Sequence, residues 1–165
     1  MVFWETICNV YSQKIKKMKL DKLGYKIITQ FEGLSLKPYL CSARIPTIGY
    51  GNTYYPNGKR VTLIDEQITE VEAFEMFKTI ADKFAKRVSG LLTKEVTQNQ
   101  FNSLVSLAYN IGINSFATST LLKKVNANPK DITISNEFKR WNKAGGVVVQ
   151  GLVNRRLSEV ENYNK

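Results

Sequence analysis

The sequence has 165 residues, of which 43% are hydrophobic, and this length and composition predict one domain with its own core. The net charge of +10 indicates an anionic partner, and charge alone does not choose between nucleic acid, an anionic membrane surface and an acidic polymer such as bacterial cell wall. The absence of histidine excludes histidine-based catalytic triads and most catalytic zinc sites, so carboxylates, thiols and hydroxyls are left for any chemistry.

Residues 1–20 combine apolar side chains at helical spacing, such as Phe3, Ile7 and Ile15, with lysines clustered toward residue 19. This pattern is typical of a basic amphipathic helix. The segment is too polar to span a bilayer and lacks the order of a signal peptide. A helix packed on the domain, a partly disordered segment and contact with a membrane surface all stay open. We therefore treat residues 1–20 as an N-terminal segment and residues 21–165 as the domain.

Glu32 closes a run from Gly24 to Phe31 whose apolar positions predict a helix. A loop then leads to a strand-like stretch from Thr47 to Gly51. A carboxylic acid at a helix end that faces a hydrophobic strand lies where desolvation favours the protonated form. Glu32 is therefore a candidate proton donor, although a lone glutamate at a helix end is more often solvated.

The stretch from Thr47 to Leu63 predicts a β-hairpin, because Asn57 and Gly58 provide the positive φ angles of a tight turn. Glycines in its first strand have two interpretations. They belong either to an ordinary hairpin at a sheet edge or to a backbone that a ligand can approach closely.

A long helix is predicted from Thr69 to Gly90, since Thr69 and Glu72 have the spacing of a capping box. We expect this helix to join two lobes. Thr97 and Gln100 repeat the capping pattern before a helix that is apolar nearly all round. Such a helix belongs in the middle of a helical lobe.

Shorter elements complete the chain. They are a helix over Thr118 to Val125, a helix over Ser135 to Ala144 that Gly145 and Gly146 break, and a last helix from Leu152. The predicted fold class is α+β, with a small hairpin-containing lobe joined by the long helix to a mainly helical lobe.

The order Glu32, eight residues, Cys41, five residues, Thr47, followed by Ile-Gly-Tyr-Gly, resembles the catalytic stretch of the phage-type lysozymes (endolysins, muramidases). Most members of that family have aspartate at the middle position, where cysteine is a less common variant. Blocks at 98–112, 119–126, 138–146 and 151–159 also look like family blocks in family order, and the resemblance covers residues 22–162.

The resemblance implies a two-lobed lysozyme-like fold and cleavage of the β-1,4 bond between N-acetylmuramic acid and N-acetylglucosamine in bacterial peptidoglycan. It implies catalytic roles for Glu32, Cys41 and Thr47, with Glu32 as the acid and Thr47 holding the water. The implied substrate-binding residues are Gly51, Tyr109, Asn110, Ile111, Gly112 and Arg155. Arg155 is expected beneath the site, where it can pair with Glu32.

The same resemblance implies a monomer without metal or cofactor, whose partner is peptidoglycan and not nucleic acid. It also implies synthesis in a host bacterial cytoplasm and action on the cell wall, by an export route that the sequence leaves open. Two rival functions are a cell-wall binder that has lost turnover and a basic nucleic-acid-binding domain. Only the charge supports the second, because no nucleic-acid-binding motif is present.

The cysteines leave several alternatives open. Cys41 is either an active-site thiolate, with Arg44 nearby to lower its pKa, or a small buried apolar residue. A single bridge between Cys8 and Cys41 would consume the thiol and hold activity off in an oxidising compartment. For Arg156, next to Arg155, a solvated basic face is the favoured interpretation.

Overall fold

The computed structural model describes residues 17–41 and 43–165. The predictions for residues 1–16, including the pairing of Cys8, lie outside this part of the chain. The helix predicted up to residue 20 does not extend over residues 17–20, which have no regular secondary structure. Leu20 is buried in the core, and the Met18 amide donates to Ser89 Oγ at 3.1 Å. None of the described helices has the length and apolar character to cross a membrane.

The described elements alternate short helices with two small antiparallel sheets. In chain order they are α1 (Lys22–Thr29), β1 (Ser35–Leu40), β2 (Pro46–Gly49), α2 (Glu70–Leu91), α3 (Gln98–Ile111), α4 (Ile113–Thr118), α5 (Thr120–Ala127), α6 (Ile134–Lys139), β3 (Lys143–Ala144), β4 (Val147–Val148) and α7 (Gln150–Tyr163). The predicted α+β class is confirmed.

The small lobe contains the β1–β2 sheet, in which Tyr39 pairs with Thr47 and Leu40 with Pro46. Strand β1 lies within the stretch between Glu32 and Thr47 that was predicted to be a loop, so this prediction was wrong for residues 35–40. Pro38 argues against a strand, but a strand with only one partner has a free edge where the missing N–H of proline costs nothing. The sheet places Cys41 directly after β1 and Thr47 inside β2.

The hairpin predicted over residues 47–63 is only partly present. One isolated bridge joins Ile48 to Asn52. A second joins Tyr54 to Arg60 and encloses a turn in which Gly58 has a φ of 84°. Gly49 and Gly51 have φ values of 64° and 89°, which end the extended backbone that a continuous strand requires. A turn forms here, but only Gly58 and not Asn57 has the predicted positive φ, and the two continuous strands do not form.

Helix α2 joins the two lobes, as predicted. The Thr69 hydroxyl accepts from the Glu72 amide at 3.2 Å, and the Glu72 carboxylate accepts from the Thr69 amide at 2.8 Å, so the capping box forms. Met76, near the start of α2, packs with the small-lobe core, whereas Phe77 and the later apolar residues pack with the helical core.

Helix α3 is the centre of the helical lobe, and every residue from Gln100 to Ala108 is buried. Thr97 and Gln100 form the predicted second capping box. Helices α1, α2 and α7 pack around α3. Glu32 follows α1, Ser106 lies on α3 and Arg155 lies on α7, so this packing brings the acid and its neighbours together.

Two predictions for the last third of the chain were wrong in their boundaries. The helix over Thr118 to Val125 is divided between α4 and α5, because Ser119 caps α5 by accepting from the Leu122 amide at 3.1 Å. The helix predicted to reach Ala144 ends at Lys139, and residues 143–148 form the β3–β4 hairpin. Gly145 and Gly146 supply its turn with φ values of 56° and 82°.

Candidate active site

Glu32 lies three residues beyond the end of α1, in a turn that its amide closes by donating to the Thr29 carbonyl at 3.2 Å. Its side chain is 24% exposed, and Oε1 lies 2.7 Å from Nη1 of Arg155 on α7. The first described helix and the last one therefore meet at this carboxylate. This is the pair of residues that the resemblance implies.

The Arg155 guanidinium is held on all sides, and its side chain is only 3% exposed. Nη2 donates to the Ser106 carbonyl at 3.3 Å, and Nε donates to Glu159 Oε1 at 3.4 Å. The guanidinium carbon lies 5.6 Å from the centroid of the Phe31 ring. Because every nitrogen has a partner, the group presents Nη1 to Glu32 in one orientation.

A buried cluster lies behind this salt bridge. It consists of the charged residues Arg155, Arg156 and Glu159 and the hydroxyl of Ser106. Glu159 is fully buried, and its Oε1 accepts from Ser106 Oγ at 2.7 Å and from Arg156 Nη2 at 2.9 Å. The pKa of Glu159 is raised, because the effect of burial exceeds the opposing effects of the two guanidinium charges and the Ser106 hydroxyl. Because arginine stays protonated, we assign Glu159 as the carboxylate that balances these cations.

The interpretation of Arg156 as part of a solvated basic face was wrong, because this side chain is 1% exposed and pairs with Glu159. No functional role was predicted for Glu159 or Ser106. The spacing of Arg155 and Arg156 to Glu159, four and three residues, was the available signal, since residues so spaced share a helix face. This helix face is buried only because α3 packs against it.

Besides Arg155, Tyr109 is an implied substrate-binding residue that lies near Glu32. Burial raises the pKa of the Tyr109 hydroxyl to about 12, and the charge of Glu32 adds to this effect. The phenol therefore stays protonated near the carboxylate at neutral pH. Its ring packs on Phe77 and Phe84, with centroids 5.7 and 5.3 Å apart.

The other implied binding residues lie at the ends of elements. Asn110 and Ile111 end α3, and Gly112, with a φ of 85°, separates α3 from α4. Gly51 lies in the turn that follows β2 in the small lobe. Among the described residues, no side-chain hydrogen bond joins any of these four positions to Glu32.

Cys41 and Thr47 form a second cluster in the small lobe. The Cys41 amide donates to the Ile45 carbonyl at 3.1 Å, and the Arg44 amide donates to the Cys41 carbonyl at 2.8 Å, which closes a tight turn. Thr47 is 2% exposed, and its hydroxyl donates to the Ile45 carbonyl at 2.9 Å. Both lone pairs of that hydroxyl then stay free to accept a hydrogen bond from water.

The pKa of the Cys41 thiol is lowered, and the cause differs from the one that the sequence suggested. The backbone amides of Ile45 and Ala43 have the largest effect, because they donate to the sulfur and favour the thiolate. The Thr47 hydroxyl contributes as well. It has one proton, which either the Ile45 carbonyl or the sulfur accepts. The Arg44 guanidinium is not among the causes, so the tight turn itself makes Cys41 more acidic.

This environment predicts the pH dependence of Cys41 alkylation. In a Cys8→Ser background the iodoacetamide rate is expected to reach half its maximum at a lower pH than in the same protein unfolded in urea. The direction follows because the thiolate reacts, and a lowered pKa populates it at lower pH. The same protein in urea is the control and should have its midpoint near that of free cysteine. Equal midpoints in both states would contradict the effect of the turn.

The two clusters provide a carboxyl group that can donate a proton, a hydroxyl that can hold water and a thiol of increased acidity. Glu32, Arg155 and Tyr109 form the first cluster, and Cys41 and Thr47 form the second. Within the described ranges, no group of three or more aspartate, glutamate or cysteine side chains is arranged to hold a metal ion. These groups can perform acid and base chemistry at a bond placed between the lobes.

Comparison with known proteins agrees with this geometry. A family model described as phage lysozyme matches residues 29–159. The chain is 40% identical over 149 residues to the endolysin of Bacillus phage PZA, which covers 89% of this chain and 55% of that protein. It thus spans about half the length of that relative. It is 34% identical over 146 residues to the endolysin of Acyrthosiphon pisum secondary endosymbiont phage 1, covering 86% of this chain and 95% of that protein.

The solved structure of the endolysin from Escherichia coli O157:H7 phage FAHEc1 superposes with a TM-score of 0.81 at 37% identity. The superposition covers 88% of this chain and 93% of that one. The predicted two-lobed lysozyme-like fold is therefore confirmed. The family model and the endolysins agree with the resemblance that begins at Glu32, and this chain belongs to the phage lysozyme family.

Proposed function

We propose that the chain is a glycoside hydrolase, a lysozyme that cleaves the β-1,4 bond between N-acetylmuramic acid and N-acetylglucosamine in peptidoglycan. The observation that carries this proposal is the 2.7 Å salt bridge between Glu32 and the buried Arg155, at the position where the family has its acid. Endolysins are the relatives that support the substrate class.

Glu32 acts as the general acid and gives its proton to the glycosidic oxygen as the bond to the anomeric carbon breaks. The carboxylate that remains is stabilised by Arg155, which is already fixed in place. Positioning of this kind costs no reorganisation during the reaction. Arg155 therefore supports the charge that develops on Glu32.

Thr47 holds the attacking water, and Cys41 supplies a negative group beside it. The Thr47 hydroxyl donates to the Ile45 carbonyl, so it accepts a hydrogen bond from water and directs the water oxygen toward the sugar. The lowered pKa of Cys41 increases the thiolate fraction at neutral pH. The thiolate then replaces the aspartate that most relatives have, as an acceptor for the water proton or as a stabilising charge.

The positive charge of the protein fits the polymer, because peptidoglycan and its attached polymers are anionic and the chain has a net charge of +10. We place the action of the enzyme at the bacterial cell wall, after synthesis in the host cytoplasm, and expect a monomer. Contact of residues 1–20 with the membrane surface stays a sequence-based proposal.

The test is digestion of purified peptidoglycan followed by separation of the products. A lysozyme creates new reducing ends on N-acetylmuramic acid, which borohydride reduction and mass spectrometry identify. Binding to walls without new reducing ends would favour the rival function of a wall binder. Retardation of DNA at physiological salt would favour the nucleic-acid rival, which only the charge supports.

Substitutions at Cys41 test the second group of the mechanism. Cys41→Asp is expected to stay active, because it restores the carboxylate of most relatives. Cys41→Ala is expected to be impaired, because alanine provides neither charge nor polarity. The measurement is the initial rate of wall lysis beside wild type, with reductant present throughout. Equal rates in the three proteins would show that position 41 takes no part in the reaction.

A further inference from the structure

We propose that Glu159 and Ser106 are positioning residues, which act on the reaction by holding the Arg155 guanidinium against Glu32. This inference rests on the proposed function. Neither residue touches Glu32 through a hydrogen bond in the described chain, and both contact Arg155. Their effect on catalysis should therefore pass through that one side chain.

The geometry of Arg155 explains how its neighbours fix its direction. A guanidinium has a rigid planar fork of donors, so fixing two of its nitrogens fixes the direction of the third. Nε is directed to Glu159 Oε1 at 3.4 Å and Nη2 to the Ser106 carbonyl at 3.3 Å. These contacts leave Nη1 at 2.7 Å from Glu32 Oε1. Without them the long side chain would have several rotamers.

The charges of the cluster also hold Arg155 in place. Arg155 and Arg156 are two buried cations, and Glu159, which is 0% exposed, is the buried anion between them. Glu32 completes the balance, so the four charges sum to zero. Arg156 Nε lies 2.8 Å from Glu159 Oε2 without the geometry of a hydrogen bond, whereas Nη2 makes a regular bond to Oε1. Arg156 thus holds Glu159, and Glu159 holds Arg155.

A second helix, α3, contributes Ser106 to this arrangement. The Ser106 hydroxyl on α3 donates to Glu159 Oε1 at 2.7 Å, and the carbonyl of the same residue accepts from Arg155. One residue therefore fixes both members of the pair on α7 relative to the central helix. Changes in how α3 and α7 pack would reach Glu32 through this contact.

A double-mutant cycle tests the proposal, with kcat and KM measured on solubilised peptidoglycan. Glu159→Gln is expected to lower kcat by about tenfold or more with little change in KM, because misplacing a group near the reaction costs rate and not binding. In an Arg155→Gln background the same substitution should change kcat by less than about twofold. Additive losses would mean that Glu159 supports the structure in general, and they would overturn the proposal.

Ser106→Ala removes the hydroxyl that donates to Glu159 Oε1 and keeps the carbonyl that accepts from Arg155. It therefore tests the hold on Glu159 without a change of charge, in case Glu159→Gln does not fold by circular dichroism. It should lower kcat when Arg155 is present and have no effect when Arg155 is replaced. A loss in both backgrounds would contradict the positioning role. Glu161→Gln is the matched control, since Glu161 lies on the same helix with its side chain 73% exposed. It should leave kcat unchanged.

A spectroscopic measurement separates this inference from the proposed function. In protein labelled with ¹⁵N-arginine, the Arg155 Nε–H signal should exchange slowly with water in wild type and in Glu161→Gln. In Glu159→Gln it should shift and exchange faster. An unchanged signal would overturn the positioning role even in an active enzyme. If wild type releases no muramic acid ends, the function fails, and this signal still tests the contact.

Discussion

Replacement of Glu32 by glutamine is expected to lower the rate of peptidoglycan hydrolysis by about 10²–10⁴-fold, the usual contribution of a general acid. The amide has the shape of the carboxyl group but delivers no proton to the leaving oxygen. Its oxygen can still accept a hydrogen bond from Arg155 Nη1, which lies 2.7 Å from Oε1 in the native protein. The clearing rate of a suspension of purified walls, compared at equal protein concentration, is the measurement.

The fold should survive this substitution. Arg155 keeps its contacts to Glu159 and Ser106, so the buried cation retains an anionic partner. Circular dichroism and the thermal midpoint therefore serve as controls, and Glu161→Gln shows the effect of losing an exposed carboxylate. Lysis within about tenfold of wild type would exclude Glu32 as the acid.

Replacement of Phe77 by alanine is expected to reduce the free energy of unfolding by about 3–5 kcal/mol, the range for deleting a buried phenylalanine. The ring is fully buried on α2, close to the point where this helix leaves the small lobe. Four aromatic rings surround it, with centroids 5.4 to 6.2 Å away: Tyr25, Tyr50, Phe74 and Tyr109. The cavity would therefore weaken contacts to α1, α3 and the turn after β2 at once.

Urea unfolding followed by fluorescence measures this loss. Phe74→Ala is the matched control, because it removes the same side chain from the same helix at a half-buried position. It should cost less, since less apolar surface returns to water and the site can relax. Equal losses at the two positions would contradict the assignment of Phe77 to the centre of the core.

Local sequence signals determined the long helices and the arrangement of the candidate catalytic residues. The capping boxes at Thr69 and Thr97 form as predicted, because a cap depends on residues only three positions apart. The spacing of Glu32, Cys41 and Thr47, together with the Ile-Gly-Tyr-Gly that follows and the later sequence blocks, indicated the family. The glycine pair at 145–146 also marked a real turn, although the helix before it ended earlier than expected.

Only the tertiary structure decided which side chains are buried together and what surrounds each of them. Strand β1 depends on its pairing with β2, and no local pattern in the residues before Thr47 predicted it. Arg156 has the sequence pattern of an exposed basic residue, yet α3 covers its helix face and supplies Ser106 to the cluster. The acidity of Cys41 comes from amides that the turn after β1 directs at the sulfur, and not from a neighbouring charge. In each of these cases the deciding contact is between groups whose orientation cannot be read from their spacing in the sequence. The direction in which a side chain or an amide points, and whether it is buried, depends on how the helices and strands pack.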